Sequence, residues 1–220
     1  MSVGLDFAHL KSRHRDMRDS QPKDLGTRIH RALSWLGRSE QEADDIDARF
    51  IFLWIAFNAA YARELGPDEQ YSETAAFNDF IGKLLQCDRD NLLYDIVWEQ
   101  FLEAIGQLLD NRYAFKPFWQ FKKGVLNETQ WQQKFQNSRY AAERNFEEMN
   151  TGVTLAIVFD RLYVLRNQLI HGNATWNSQL NREQLRQSTE ILDRLVPTMI
   201  HLMMENPDKD WGPLCYPVVD

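Results

Sequence analysis

Apolar residues recur along much of the chain at the three- and four-residue spacing of amphipathic helices. Over residues 27–38 this spacing predicts a short helix, with Thr27 as its N-cap and Gly37 near its end. Residues 45–65 are apolar on nearly every side and stop at a Gly-Pro pair. Their length, their alanines and the missing alternation favour a helix over a strand, and a helix this apolar must be buried.

Later segments show the same helical spacing, and no strand ladder or internal repeat is visible. The predicted helices are 72–85, 91–109, 128–148, 151–171 and 182–205. Pro197 is expected to kink or interrupt the last of them, because proline cannot donate the backbone hydrogen bond of a helix interior. The pattern therefore predicts an all-α fold.

The length of 220 residues suits one domain with short flanking segments. Residues 1–26 are predicted to form an N-terminal arm or short helix, and residues 27–206 a helical domain. Residues 207–220 contain three prolines and a glycine, which predicts an extended C-terminal tail.

Composition and charge narrow the class of protein. With 44% apolar and 26% charged residues, the chain has the composition of an ordinary globular protein. Its formal net charge of -7 argues against a protein that coats nucleic acid non-specifically, since such binding needs clustered Lys and Arg. A local site with one or two arginines stays open, because an arginine can hold a phosphate through two parallel hydrogen bonds.

Cysteine, histidine and hydropathy patterns point away from several kinds of site. The two cysteines, Cys87 and Cys215, form no Cys-x-x-Cys pair, so neither a disulfide framework nor a cysteine zinc site is indicated. The histidines lack metal-binding spacing, and no cofactor is implied. The longest apolar run, 50–57, is far shorter than the roughly 20 residues that cross a bilayer. Together with a charged N-terminus, this predicts a cytoplasmic protein without a membrane partner.

The predicted helix 151–171 has one apolar side and one mixed side. Its apolar stripe, expected to face the core, consists of Leu155, Val158, Leu162, Leu165 and Leu169. The opposite side groups Ala156, Asp160, Val164, Asn167 and His171. Arg166 projects from the flank, beside Tyr163 and Ile170, and its long side chain can turn toward the mixed side.

The C-terminal end of this helix is marked by His171 and Gly172. Gly172 is expected to adopt the left-handed conformation of a helix cap. His171 lies near the negative end of the helix dipole, which favours a protonated imidazole that can donate a proton.

Arg166, Asn167 and His171, with a four-residue gap between the arginine and the histidine, resemble the Arg-x4-6-His motif of the HEPN superfamily of RNA-cleaving enzymes. The apolar helix that contains Asn58 is similar, more loosely, to prokaryotic members. The resemblance implies a HEPN-like helical bundle, here with additional helices, and a homodimer that brings two Arg/His pairs into one composite cleft. It also implies metal-independent RNA cleavage by 2′-hydroxyl attack, in a toxin or defence effector.

The residue types suit this chemistry. Arg166 would hold the scissile phosphate and its developing charge, because a guanidinium offers two parallel donors and stays protonated. His171 would move a proton as the 2′-hydroxyl attacks or the 5′-oxygen leaves. Asn167, one turn before His171, would orient the imidazole or the phosphate.

Three further residues, Asn58, Tyr163 and Asp160, are expected to contact the substrate in the cleft. Asn58 has an alternative as a buried amide that satisfies backbone groups, and Asp160 as the partner of a nearby Arg or Lys. The stretch 113–123 interleaves aromatic rings with lysines, a pattern that suits either base stacking or burial in the core.

RNA, a second copy of the chain and an antitoxin or defence partner are the expected partners. Some HEPN toxins carry a tyrosine two residues after the histidine, where a partner enzyme attaches nucleotide; Asn173 at this position departs from that pattern. A non-catalytic HEPN-type module that binds RNA or nucleotide, or supplies a dimer interface, is the alternative function. A helical scaffold with a structural Arg166 is a third.

Overall fold

The computed structural model describes residues 4–63, 73–179 and 181–216. These residues contain ten α-helices and no β-strand, which confirms the predicted all-α class. The helices are α1 Phe7–Met17, α2 Lys23–Glu40, α3 Ile46–Tyr61, α4 Glu73–Cys87, α5 Leu92–Asp95, α6 Leu102–Leu109, α7 Lys116–Lys122, α8 Glu128–Glu147, α9 Thr151–Ile170 and α10 Arg182–Glu205. In the described part of the chain, no helix has the length and hydropathy needed to span a membrane.

The chain divides into two compact units. Unit 1 comprises Met1–Leu93 and Thr189–Asp220, and unit 2 comprises Tyr94–Ser188. The boundaries between them fall within α5 and within α10.

Unit 1 is organised around α3, the most apolar predicted helix. It begins at Ile46, where the side chain of Asp45 accepts a hydrogen bond from the Ala48 N–H, and it ends at Tyr61. It packs against α2, which in turn packs against α1. The α3 side chains that are buried are Phe50, Leu53, Trp54, Ala56, Phe57 and Ala60. The prediction of a buried helix is confirmed over these residues, but the predicted end at 65 is wrong: the helix ends at Tyr61, because the C-cap Ala62 already has an extended backbone.

Helix α2 begins four residues earlier than predicted, at Lys23. Its N-cap is Pro22, whose carbonyl accepts from the Gly26 N–H at 2.9 Å. The prediction of Thr27 as the cap is therefore wrong, because Thr27 lies inside the helix. A proline suits a helix start because the first backbone N–H groups have no partner within the helix.

Gly37 allows α1 to approach α2 closely. A β-carbon at this position would lie 2.8 Å from the ring of Phe7, the first residue of α1. The glycine thus serves helix packing rather than the helix end, which comes at Glu40.

A buried arginine, Arg28, links α2 to the end of α3 and to the C-terminal segment. Its side chain is 1% exposed, and it donates to the carbonyls of Ala60, Ala62, Gly212 and Pro213, the first of these bonds buried and the other three part-buried. Burial lowers the pKa of Arg28 from its ordinary value. The guanidinium therefore satisfies the carbonyl groups that the last turn of α3 leaves unpaired.

Unit 2 contains one clear departure from the predicted helices. Instead of a single helix over 91–109, α5 and α6 are separated by a π-helical turn, Ile96–Gln100. The turn is closed by a hydrogen bond from the Phe101 N–H to the Ile96 carbonyl, 3.1 Å. It places the consecutive side chains Ile96, Val97 and Trp98 in the interior, and the Trp98 indole donates to the hydroxyl of Thr151 at 2.9 Å. The turn is therefore buried on more than one side, since three successive side chains point in different directions around a helix.

Helix α8 confirms the prediction over 128–148 to within one residue. Asn127 and Gln130 form a reciprocal capping box at its start. Only Trp131 and Ala142 of this helix are buried, so α8 is held to unit 2 along a narrow stripe. Pro197, for its part, lies inside α10, which the structure describes as one helix from Arg182 to Glu205.

Candidate functional site

Helix α9 and its C-cap carry five of the six residues predicted to form the site, and the helix confirms the predicted bounds to within one residue. Its N-cap is Asn150, whose side chain accepts from the Val153 N–H at 3.1 Å, and its C-cap is His171. The sixth residue, Asn58, lies half-buried on α3 of unit 1, where its backbone carbonyl accepts from the Ala62 N–H at 2.8 Å. Its role in contacting substrate stays a prediction.

The buried side of α9 is wider than the sequence pattern indicates. Leu155, Val158, Leu162 and Leu165 are buried as predicted. Val164, which the pattern placed on the mixed side, is also buried at 6% exposure, so that part of the prediction is wrong. The reason is that α6, α8 and the short 3-10 turn Arg112–Ala114 all pack against α9 and cover more than one face.

The exposed side of α9 is a narrow stripe along the helix. It consists of Val153, Asp160, Tyr163, Ile170 and the C-cap His171. Tyr163 is 41% exposed and Ile170 45%, which leaves two large apolar side chains at the surface beside the motif. Tyr163 and Asp160 are therefore placed where a bound molecule can reach them.

The end of α9 has the geometry of a Schellman cap. The Gly172 N–H donates to the carbonyl of Leu169 at 3.2 Å, and the Asn173 N–H donates to that of Gln168 at 2.9 Å. Gly172 has a φ of 67°, which confirms the predicted left-handed conformation. This cap fixes the last turn of the helix and thereby the starting point of the His171 side chain.

Two glycine-to-alanine substitutions in unit 2 test this cap with opposite expected signs. Gly172→Ala is expected to lower the free energy of unfolding by about 1–2 kcal/mol, because the left-handed backbone presses a β-carbon against the following carbonyl. Gly106→Ala, inside α6 with no atom within 4 Å of the new β-carbon, is expected to raise it by about 0.5–1 kcal/mol. Urea unfolding measures both; a Gly172→Ala protein as stable as the wild type would contradict the assigned cap.

Arg166 and Asn167 contact each other through their side chains. The Arg166 Nη1 donates to the Asn167 Oδ1 at 2.9 Å, so the guanidinium turns from the flank of α9 toward the mixed side. Its Nε is buried and has no hydrogen-bond partner among the described residues. His171 is exposed, and its backbone N–H donates to the Asn167 carbonyl at 3.1 Å. Asn167 is therefore linked to Arg166 by its side chain and to His171 by its backbone.

Asp160 lies beside a buried arginine that the sequence gave no reason to single out. Its Oδ2 is 3.8 Å from Nη1 of Arg161, whose side chain is 1% exposed. Arg161 also donates to the hydroxyl of Ser138 at 2.8 Å, and its guanidinium stands 4.3 Å from the ring centroid of Phe115. Burial lowers the pKa of Arg161 to about 10, an effect that Asp160 opposes. Asp160 thus fits its alternative role, as the partner of an arginine, at a long ion-pair distance.

Helix α9 is also joined to the aromatic stretch through a contact that the sequence did not indicate. The Gln168 Nε2 donates to the backbone carbonyl of Tyr113 at 2.7 Å, and the Trp119 indole donates to the same carbonyl at 2.8 Å. Gln168 lies between Arg166 and His171 in the motif. Part of the stretch 113–123 is therefore held next to the motif turn of α9.

Among residues 4–63, 73–179 and 181–216, no group of three or more His, Cys, Asp or Glu side chains is arranged to hold a metal ion. No protein-family model matches the chain, and neither does any curated protein or any solved structure.

Proposed function

We propose that the chain is a metal-independent endoribonuclease whose active site is the C-terminal end of α9. The observation that supports this most directly is the pairing of the Arg166 guanidinium with Asn167, one turn before the exposed imidazole of His171. A phosphate-binding cation and a proton-transferring group thus project from the same end of α9. The HEPN-like bundle, and a biological role as a toxin or defence effector, belong to the same proposal and rest on the motif resemblance.

The proposed reaction is an internal transfer at phosphorus. The 2′-oxygen bonds to phosphorus as it loses its proton to a base, and the bond to the 5′-oxygen breaks as that oxygen receives a proton from an acid. The products are a 2′,3′-cyclic phosphate and a 5′-hydroxyl. Arg166 stabilises the charge that builds on the phosphoryl oxygens, with Asn167 keeping the guanidinium in place.

A homodimer supplies the second proton-transfer group. One His171 serves as the base and the partner copy's histidine as the acid in a composite cleft. The exposed apolar side chains Val153, Tyr163 and Ile170 on α9 offer a surface for the second copy, and burying such side chains favours association.

The test is RNA cleavage by the purified protein in EDTA. His171→Ala is expected to lower the cleavage rate by about 10²–10⁴-fold, since it removes the proton-transfer group. His30→Ala, which removes an exposed imidazole from α2 of unit 1, is the matched control and is expected to cut RNA at the wild-type rate. Cleavage that survives in a folded His171→Ala protein refutes the assignment.

One observation favours the second candidate, a non-catalytic module that binds RNA or nucleotide. Within the described part of the chain, no side-chain hydrogen bond orients the His171 ring, whereas catalytic histidines are commonly oriented by a third group. RNA binding without cleavage of any RNA, unchanged in His171→Ala, would favour this module over the nuclease.

A further inference from the structure

We propose that Tyr113 and the four cations of residues 111–127 form a platform for single-stranded RNA beside the motif turn of α9. This platform is named here the Tyr113 platform and consists of Arg112, Tyr113, Lys116, Lys122 and Lys123. The identity of its ligand rests on the proposed function, but its binding can be measured separately from cleavage.

The segment that contains Tyr113 is positively charged. Residues 111–127 contain four cations and no Asp or Glu, in a chain whose formal net charge is -7. In the described part of the chain, none of the four cations is paired with a carboxylate. A positive segment of this kind in an acidic protein attracts a polyanion locally, even though the protein as a whole does not.

The aromatic rings of this segment differ in how far they are buried. Phe115 and Phe118 are buried, so these two rings belong to the core of unit 2. Tyr113 is 38% exposed, and its ring meets Phe118 edge-on at 5.3 Å between centroids. Tyr113 is therefore anchored to the core through Phe118 and stays partly exposed, as a residue that stacks on a base must be.

Two of the cations, Arg112 and Lys122, lie over aromatic rings. Arg112 lies 4.9 Å from the centroid of the Tyr113 ring and donates to its hydroxyl at 2.9 Å. Lys122 lies 5.4 Å from the centroid of Phe118 and 5.1 Å from that of Phe121. Cations held over rings keep their full charge and most of their donors, so they stay able to bind phosphates next to a stacked base.

Tyr113 is connected to the motif turn of α9 by a hydrogen bond. Tyr113 is fixed through its backbone carbonyl, which accepts from both Gln168 and Trp119. Gln168 follows Arg166 by two residues and precedes His171 by three. A base stacked on Tyr113 therefore lies beside the turn of α9 that carries the proposed cleavage site.

Rings alternating with cations suit single-stranded RNA better than an acidic peptide. Every base offers a π-face to Tyr113 and every linkage a phosphate to the cations, whereas acidic side chains would use the cations alone. Stacking is also tolerant of sequence, so the Tyr113 platform would bind strands of differing sequence.

The experiment measures fluorescence anisotropy of a fluorescein-labelled 2′-O-methyl oligouridylate, which has no free 2′-hydroxyl to attack. Tyr113→Ala is expected to weaken binding by about 5- to 100-fold, and Tyr113→Phe by less than about twofold, because stacking needs the ring and not the hydroxyl. Tyr140→Ala, which removes a tyrosine 68% exposed on α8, is the matched control and is expected to bind as the wild type does. Circular dichroism checks that each variant is folded.

A second variant keeps the test valid if Tyr113→Ala fails to fold. Replacing the exposed Lys122 and Lys123 with glutamine is expected to reduce the slope of log binding constant against log salt concentration by about 1.4. An unchanged slope, an absence of binding by the wild type, or a folded Tyr113→Ala that binds like the wild type would each overturn the platform.

Failure of the platform and failure of the nuclease give different results. If His171-dependent cleavage is present while Tyr113→Ala binds the oligonucleotide normally, the nuclease stands and the platform is wrong. If binding depends on Tyr113 but no RNA is cut, the platform stands and the nuclease is wrong.

Discussion

Arg166→Ala is expected to lower the rate of RNA cleavage by about 10²–10³-fold, the usual effect of removing one donor that stabilises charge in a transition state. The structure gives this side chain one hydrogen bond, from Nη1 to Asn167, among the described residues; its Nε is buried, so the donors left for a phosphate are those of the two Nη atoms. Arg166→Lys keeps the positive charge but not the planar pair of donors, and is expected to recover only part of the rate. A gel-based cleavage assay in EDTA measures all three proteins.

A matched arginine separates catalysis from surface charge. Arg144 on α8 has a side chain 78% exposed, and Arg144→Ala is expected to cut RNA at the wild-type rate. The melting temperature of Arg166→Ala should stay close to that of the wild type. A fall of several degrees with cleavage retained would instead make Arg166 a structural residue of a helical scaffold.

Arg28→Met is expected to lower the free energy of unfolding by about 3–5 kcal/mol, because methionine fills the space of the stem but leaves one buried and three part-buried carbonyls without donors. The four carbonyls belong to the end of α3 and to the segment at Gly212 and Pro213. A loss of this size is a large share of the roughly 5–15 kcal/mol of a typical domain. Urea unfolding followed by circular dichroism measures it.

Arg31 provides the control for Arg28 on the same helix. Its guanidinium donates to a single carbonyl, that of Tyr216, at 2.7 Å in an exposed setting. Arg31→Met is therefore expected to cost less than about 1 kcal/mol. Equal losses for Arg28→Met and Arg31→Met would contradict the account of Arg28 as the residue that holds the end of α3.

The sequence predicts helices well where caps and amphipathic spacing agree. Helix α9 follows its predicted course because Asn150 caps its start and Gly172 its end. Its neighbour α8 begins at a capping box formed by Asn127 and Gln130, two residue types that suit these positions. The π-helical turn at Ile96–Gln100 was not predicted, since nothing in the local pattern shows where an extra residue is inserted. The early start of α2 was missed because Thr27 is a preferred N-cap residue type, whereas the observed N-cap, Pro22, makes no side-chain capping hydrogen bond.

Buried arginines are the main feature that the sequence does not reveal. Arg28 and Arg161 are each 1% exposed, yet each occupies a position where a surface arginine is the ordinary expectation. Each is buried against partners that are distant in sequence. Arg28 binds carbonyls near Gly212, and Arg161 lies over the ring of Phe115. Local periodicity carries no information about such partners.

The candidate site also has a part that the sequence predicts and a part that it does not. The motif itself is local, so its position at the end of α9 and the cap at Gly172 were predictable. The hydrogen bond from Gln168 to the Tyr113 carbonyl joins residues 55 positions apart, and the sequence gives no sign of it. That contact is what turns an aromatic stretch with two possible roles into a neighbour of the motif.

The chemical ends that the protein leaves on RNA test the central claim most directly. Purified wild-type protein, incubated with a defined RNA in EDTA, is expected to produce fragments with a 2′,3′-cyclic phosphate on one side of the cut and a 5′-hydroxyl on the other. Mass spectrometry of the fragments reads both ends at once. Fragments with a 3′-hydroxyl and a 5′-phosphate, or intact RNA after incubation, would contradict attack by the 2′-hydroxyl at the Arg166 and His171 site.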